Sequence, residues 1–211
     1  MIDLIIILVH LKILNINKIK SKEIMKTIFI DLDNSINALS ESFIKIAQKL
    51  GYKIKPNIQD NYNLSAGLVK PVDCMIDNIT DYIFCQKGFW VNIPILPGAQ
   101  DVINKLNEYY TIIFLTTPYI NSVTCREEKM LWLQRYFDWI DRSNVIFSNN
   151  KCKFEDQGDL LIEDKPSTLL EWTKPKFKVY HPYNEFVQSD FTIYDWKYQA
   201  QDIIQKVKEF I

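Results

Sequence analysis

Four short stretches carry the side chains whose types and spacing could do chemistry: Asp31-Leu32-Asp33, Thr116-Thr117-Pro118, Asn149-Asn150-Lys151-Cys152-Lys153 and Glu163-Asp164-Lys165. Together they offer carboxylates, hydroxyls and ammonium groups. Two carboxylates from separate segments can hold Mg²⁺, with waters and a substrate phosphate completing its octahedron. A carboxylate two residues from a carboxylate nucleophile can serve as general acid and then general base. Hydroxyl and ammonium donors stabilise the charge on a transferring phosphoryl group. Taken alone, Asp31 and Asp33 are equally compatible with simple solvation of a strand end. The chemical reading requires all four stretches to meet at one rim.

Each stretch follows an apolar run of strand length: Thr27–Ile30, Thr111–Leu115, Asn144–Phe147 and Leu160–Ile162, with Phe177–Tyr180 similar. Such runs lack polar alternation, which suits strands buried on both faces of a parallel sheet. Between them lie helical patterns. Val102, Ile103, Leu106 and Tyr110 follow Gly98, and Met130, Leu133, Phe137 and Ile140 follow a predicted capping box from Thr124 to Glu127. Trp196, Ala200, Ile203, Ile204, Val207 and Ile211 predict a last helix capped by Asp195. This alternation predicts an α/β fold: a Rossmann-like parallel sheet with helices on both faces. In such sheets ligands bind at the carboxyl ends of the strands, where the four stretches fall. Residues 40–94 break the rhythm, opening with a helix from Ser40 to Leu50 stopped by Gly51 and continuing without a core strand. They read as a small helical cap inserted after the first strand, leaving 25–39 and 95–211 as the core.

Composition narrows the partners. The chain has 211 residues, 47% hydrophobic and 24% charged, which suits an ordinary globular protein and excludes disorder. A formal charge of −1 argues against coating a nucleic acid polymer or adhering to an anionic membrane. Five glycines include no Gly-x-Gly-x-x-Gly and no phosphate-binding P-loop. There is no Gly-x-Ser-x-Gly elbow, and two histidines give little support to a histidine triad or zinc site. His181 reads as structural. Four cysteines without a Cys-x-x-Cys pair suit a reducing cytoplasm. The apolar run Leu4–Val9 is too short to span a bilayer, so residues 1–24 read as an N-terminal appendage before Met25, or else as an anchor.

The segments Ile28-Phe29-Ile30-Asp31-Leu32-Asp33, Phe114-Leu115-Thr116-Thr117-Pro118 and Asp159-Leu160-Leu161-Ile162-Glu163-Asp164-Lys165-Pro166 resemble those of haloacid dehalogenase-like phosphatases. More narrowly, Gly88-Phe89-Trp90, Leu96-Pro97-Gly98-Ala99 and Lys129-Met130-Leu131-Trp132-Leu133 leading to Tyr136-Phe137 resemble the 5′(3′)-deoxyribonucleotidases. The resemblance covers roughly Lys26 to Phe210. It implies an Mg²⁺-dependent phosphomonoester hydrolase acting on (deoxy)nucleoside monophosphates through an aspartyl-phosphate. Asp31 would be the nucleophile and Asp33 the acid and base. Asp31, Asp33 through its carbonyl, and Asp164 would hold the metal, with Glu163 in support. Thr116 and Thr117 would meet the phosphate together with a lysine. Counting from the third strand favours Lys151 for that role, and counting back from Asp159 favours Lys153. Phe89 and Trp90 would wall the substrate, or else serve as cap core.

Three departures from the family pattern stand out. Asn34-Ser35 replaces the usual glycine or acidic residue followed by a small apolar one, which leaves the Ser35 hydroxyl able to assist phosphate binding. The lysine position is ambiguous, and the acidic pair appears as Glu163-Asp164. Two other functions keep the same fold: hydrolysis of another small phosphorylated metabolite, and non-catalytic nucleotide binding in a regulatory protein. The oligomeric state stays open, a homodimer included.

Overall fold

The computed structural model describes residues 25–211. Residues 1–24, with their reading as appendage or anchor, lie outside the described residues. Among the described residues, no helix is long and apolar enough to cross a membrane.

Six strands form one parallel sheet, running from edge to edge through Val145–Phe147, Thr111–Thr116, Thr27–Ile30, Leu160–Glu163, Lys176–Val179 and Phe191–Ile193. They are β1 (Thr27–Ile30), β4 (Thr111–Thr116), β5 (Val145–Phe147), β6 (Leu160–Glu163), β7 (Lys176–Val179) and β8 (Phe191–Ile193). The central strand β1 pairs with β4 and β6, so that Ile28 lies beside both Ile112 and Leu160. Successive side chains point to opposite faces, and both faces are covered. Ile28 and Ile30 pack with α3 (Ala99–Asn107), α4 (Cys125–Tyr136) and α6 (Ala200–Phe210). On the other face Phe29 meets Leu115, Leu161 and Trp172, the residue that ends α5 (Pro166–Glu171). Here the chain approaches so closely that a Cβ on Gly158 would fall 2.4 Å from the Phe29 ring. The burial of both faces is why these strands carry no polar alternation.

Between β1 and α3 the chain makes an excursion. It contains α1 (Leu39–Lys49), the antiparallel pair β2 (Lys53–Ile54) and β3 (Leu68–Val69), and α2 (Ile79–Phe84). In α1, Leu39, Phe43 and Ala47 are buried at spacings of four, the signature of one packed helical stripe. They join Ile79, Ile83, Phe89 and Trp90 in a second apolar cluster, distinct from the sheet's own. The chain leaves and re-enters through paired segments: Ala38 N–H donates to Pro94 O (2.9 Å), and Leu96 N–H to Ile36 O (2.8 Å).

Some local expectations need correcting. Thr124 makes no capping bond; its backbone is helical rather than extended, which turns its hydroxyl away from the third-residue N–H and leaves it buried without a partner. Glu127 is exposed and faces Arg142 instead. Asp195 caps a turn, accepting the N–H groups of Lys197 and Tyr198 (both 2.8 Å), while the last helix starts at Ala200. The short α5, β8 and the β2–β3 pair carried too few residues to show a period in the sequence.

Candidate active site

The carboxyl ends of β1, β4, β5 and β6 converge, as the sheet order requires of four adjacent parallel strands. Asp31 follows β1 directly and still donates its N–H to Ile162 O (2.9 Å). Its Oδ1 lies 2.6 Å from Lys151 Nζ, which is also 2.6 Å from Glu163 Oε2. The other oxygen of Glu163 accepts the N–H groups of Asp164 and Lys165 (3.0 and 3.1 Å), so both ends of this carboxylate are occupied. Asp164 is held from both sides as well. Ser35 Oγ donates to its Oδ1 (2.9 Å), the Tyr183 hydroxyl to its Oδ2 (2.5 Å), and Asn184 Nδ2 to its backbone oxygen (2.7 Å).

Asp31, Glu163 and Asp164 are all buried, and each offers an oxygen within 4.8 Å of the others. Three carboxylates here share one ammonium. Burial pushes Asp31 up to about 7, with Glu163 adding to the rise and Lys151 opposing it. Asp164 is pushed up to about 7 by burial and then by Asp31. Glu163 rises too, chiefly through burial. Burial alone would lower Lys151, but its ion pairs with Asp31 and Glu163 reverse that and raise it. An oxygen-only donor set, buried and short of positive charge, fits a hard divalent cation.

Asp33 sits on the turn that follows. Asn34, in the left-handed region at φ 58°, reverses the chain there; asparagine tolerates that conformation better than most non-glycine residues. Asp33 Oδ1 accepts from Asn37 Nδ2 (3.2 Å) and Oδ2 from Lys129 Nζ (2.5 Å). Lys129 also donates to Thr116 Oγ1 (3.0 Å) and Thr117 O (2.7 Å), and its ammonium stands 4.8 Å from the centre of the Trp90 ring. The preceding residue, Glu128, accepts the N–H groups of Gly88 (2.7 Å) and Trp90 (3.1 Å) from the excursion.

Above Asp33 opens a cavity of about 280 Å³, with Tyr62, Phe84, Trp90 and Tyr119 among its walls and Thr117 at its base. The structure thus brings together Asp31, Asp33, Thr116, Lys151, Glu163 and Asp164, with Thr117 and Trp90 beside them. Two expected residues stand apart. Lys153 is exposed, its ammonium over the Phe154 ring, because the turn after Lys151 points it away from the carboxylates. Phe89 packs against Phe84 and Trp90 inside the excursion's apolar cluster rather than lining the cavity. The Thr117 hydroxyl donates to Ser148 O (3.0 Å). The Ser35 hydroxyl, expected near phosphate, serves Asp164. His181 bonds Asn34 O (2.8 Å) and stacks on Tyr183, a structural placement.

Sequence reasoning assigned no role to Lys129, Glu128 or Tyr183. A signal existed for the lysine: Lys129 shares the spacing of Trp132 and Leu133, so it falls on the inner stripe of α4. Tyr183 carried none.

The family described as "5′ nucleotidase, deoxy (Pyrimidine), cytosolic type C protein" matches residues 24–210. A 5′(3′)-deoxyribonucleotidase of Clostridium acetobutylicum is 28% identical, covering 88% of this chain and 98% of its own. A 5′(3′)-deoxyribonucleotidase of Bacillus subtilis is 24% identical, covering 77% and 83%. Among solved structures, a haloacid dehalogenase-like hydrolase of Burkholderia xenovorans superposes with a TM-score of 0.54 at 13% identity, covering 88% of this chain and 98% of that one. This last likeness concerns the fold.

Proposed function

The chain belongs to the 5′ nucleotidase, deoxy (pyrimidine), cytosolic type C protein family, and from that membership we propose that it is an Mg²⁺-dependent phosphatase of (deoxy)nucleoside monophosphates. The observation that carries the reading is the pair Asp31 and Asp33 at the end of the central strand, each carboxylate ion-paired to a different buried lysine. In this reading residues 40–94 are the cap over the core formed by 25–39 and 95–211. The aromatic-walled cavity of about 280 Å³ suits one nucleoside rather than a polymer. A cytoplasmic setting, where nucleoside monophosphates turn over, belongs to the same reading.

The Asp31 carboxylate attacks phosphorus, and the bond from phosphorus to the sugar oxygen breaks. That oxygen keeps the electron pair and takes the proton of Asp33, leaving as an alcohol. The phosphoryl group is now bonded to the Asp31 oxygen as an acyl phosphate. Asp33, ionised by that transfer, takes a proton from water as the water oxygen attacks phosphorus; orthophosphate leaves and Asp31 is restored. Two smaller displacements replace one difficult one. Lys151 meets the charge gathering on the phosphoryl oxygens. Thr116 does so as well: its oxygen accepts from Lys129, so its own hydrogen remains available to donate. Asp31, Asp164 and the Asp33 carbonyl would hold Mg²⁺, with Glu163 steadying Lys151 behind them. When bound, the ion supplies the positive charge that three buried carboxylates need before an anionic phosphate can approach.

The test is orthophosphate release from 5′ and 3′ monophosphates, deoxy and ribo, with sugar phosphates alongside, in Mg²⁺ and in EDTA. Turnover of nucleotides in Mg²⁺ alone is expected. Silence toward every phosphomonoester sinks the reading, and turnover of sugar phosphates alone overturns its substrate class.

A further inference from the structure

The Glu128-Lys129 pair joins two parts of the site, the Asp33 carboxylate and the aromatic wall. An ammonium has three hydrogens to donate, and Lys129 has three oxygen acceptors: Asp33 Oδ2, Thr116 Oγ1 and Thr117 O, at 2.5, 3.0 and 2.7 Å. The side chain is 2% exposed, so water does not compete for them. Every donor is therefore committed, and the ammonium is fixed relative to both β1 and β4. Asn37 Nδ2 fixes the other oxygen of Asp33. On the open side, the Trp90 ring face closes over the ammonium. Glu128, one residue earlier on α4, grips the backbone on either side of Phe89. One turn of helix thus locates both the acid-bearing carboxylate and the cap's aromatic wall.

Resting on the phosphatase reading above, we propose that Lys129 is a positioning residue for the acid step: it holds Asp33 at a set distance from Thr116, hence from the phosphoryl group whose leaving oxygen Asp33 must protonate. Lys129 keeps its own protons throughout. The transferred proton passes from the Asp33 carboxyl to the sugar oxygen as the phosphorus–oxygen bond breaks. A misplaced Asp33 matters only where the leaving oxygen needs that proton. An alkoxide does; a nitrophenolate departs without it.

The experiment compares Lys129→Met with wild type, in Mg²⁺ and at enzyme excess, by the first-turnover release of nucleoside from a deoxynucleoside 5′-monophosphate and of nitrophenolate from 4-nitrophenyl phosphate. This reads only the step that breaks the ester. Nucleoside release is expected to fall about 100-fold or more, the usual scale of a lost general acid, and nitrophenolate release less than about fivefold. In steady state, kcat should carry the loss, with KM for the nucleotide moving less than about threefold. Lys129→Arg, which keeps the charge but not the three-pronged fit, should recover part of the nucleotide rate. Should methionine prevent folding, Asn37→Ala frees the other oxygen of Asp33 and is expected to give the same leaving-group selectivity at smaller size. Equal losses on both substrates, or no loss on either, overturn the proposal. Wild-type inactivity on both substrates refutes the phosphatase reading itself, and is a separate result.

Discussion

Lys151 and Lys129 are both buried ammonium groups set on carboxylates two positions apart, yet their surroundings differ in kind. Lys151 faces Asp31 and Glu163 with Asp164 close by, so its charge is outnumbered. Lys129 faces one carboxylate, two neutral oxygens and an indole face, and its charge is matched. The first arrangement is electrostatically incomplete and invites a cation. The second is complete and specifies a position. Asp31 and Asp33, separated only by Leu32, are thereby placed in different electrostatic settings by their counter-ions.

That contrast can be broken in several places. The largest expected effect is at the outnumbered end: Asp31→Asn should lower turnover by about six orders of magnitude, the scale of a lost nucleophile, with an unchanged circular dichroism spectrum. Near-normal phosphate release would refute the nucleophile's assignment. Next, Lys151→Met strands the buried carboxylates and should cost about 3–5 kcal/mol in urea unfolding under EDTA. Lys129→Met should cost less, about 1–3 kcal/mol, because Asp33 keeps 20% side-chain exposure. Equal costs would erase the distinction between the two lysines.

Magnesium sharpens the same point. At about 100 times its dissociation constant it should stabilise the wild type by about 2.7 kcal/mol, seen as a rise in Tm that EDTA reverses. Asp164→Asn should blunt that rise; an undiminished rise would place the ion elsewhere. The smallest effect is expected at Lys153→Ala, within about 0.5 kcal/mol of wild-type stability and with unchanged turnover. A clear loss of activity there would restore Lys153 as a partner of the phosphate.

Much of this was legible from the chain alone, for a definite reason. A parallel strand buried on both faces is an unbroken apolar run, so its end is marked by the first polar residue. Asp31, Thr116 and Asp164 lie at or just past such ends. Lys151 could be preferred to Lys153 only through the direction of the strand, and the structure's turn after Lys151 separates the two. The parts that stayed hidden are those where a side chain crosses between elements. Ser35 and Tyr183 reach Asp164 from 129 and 19 residues away. Lys129 lay in plain view on the inner stripe of α4, but periodicity gives a charged residue's face and not its partner. Phe89 and Trp90 are adjacent in sequence, so composition could not tell which would face the cavity.

The paired segments through which the chain leaves and rejoins the sheet have a consequence for the protein's history. Because Ile36–Ala38 and Pro94–Leu96 are hydrogen-bonded to each other, the two ends of the excursion are held together where the chain leaves the sheet. The entropy of closing such a loop grows only with the logarithm of its length. The sheet therefore barely registers how much chain lies between them. Lengthening or shortening that stretch away from its Gly88–Trp90 contacts is therefore expected to leave the strand register and the carboxylate cluster where they are. In the proposed reading, substrate range can drift through the cap while the carboxylates at the strand ends beneath it stay in place.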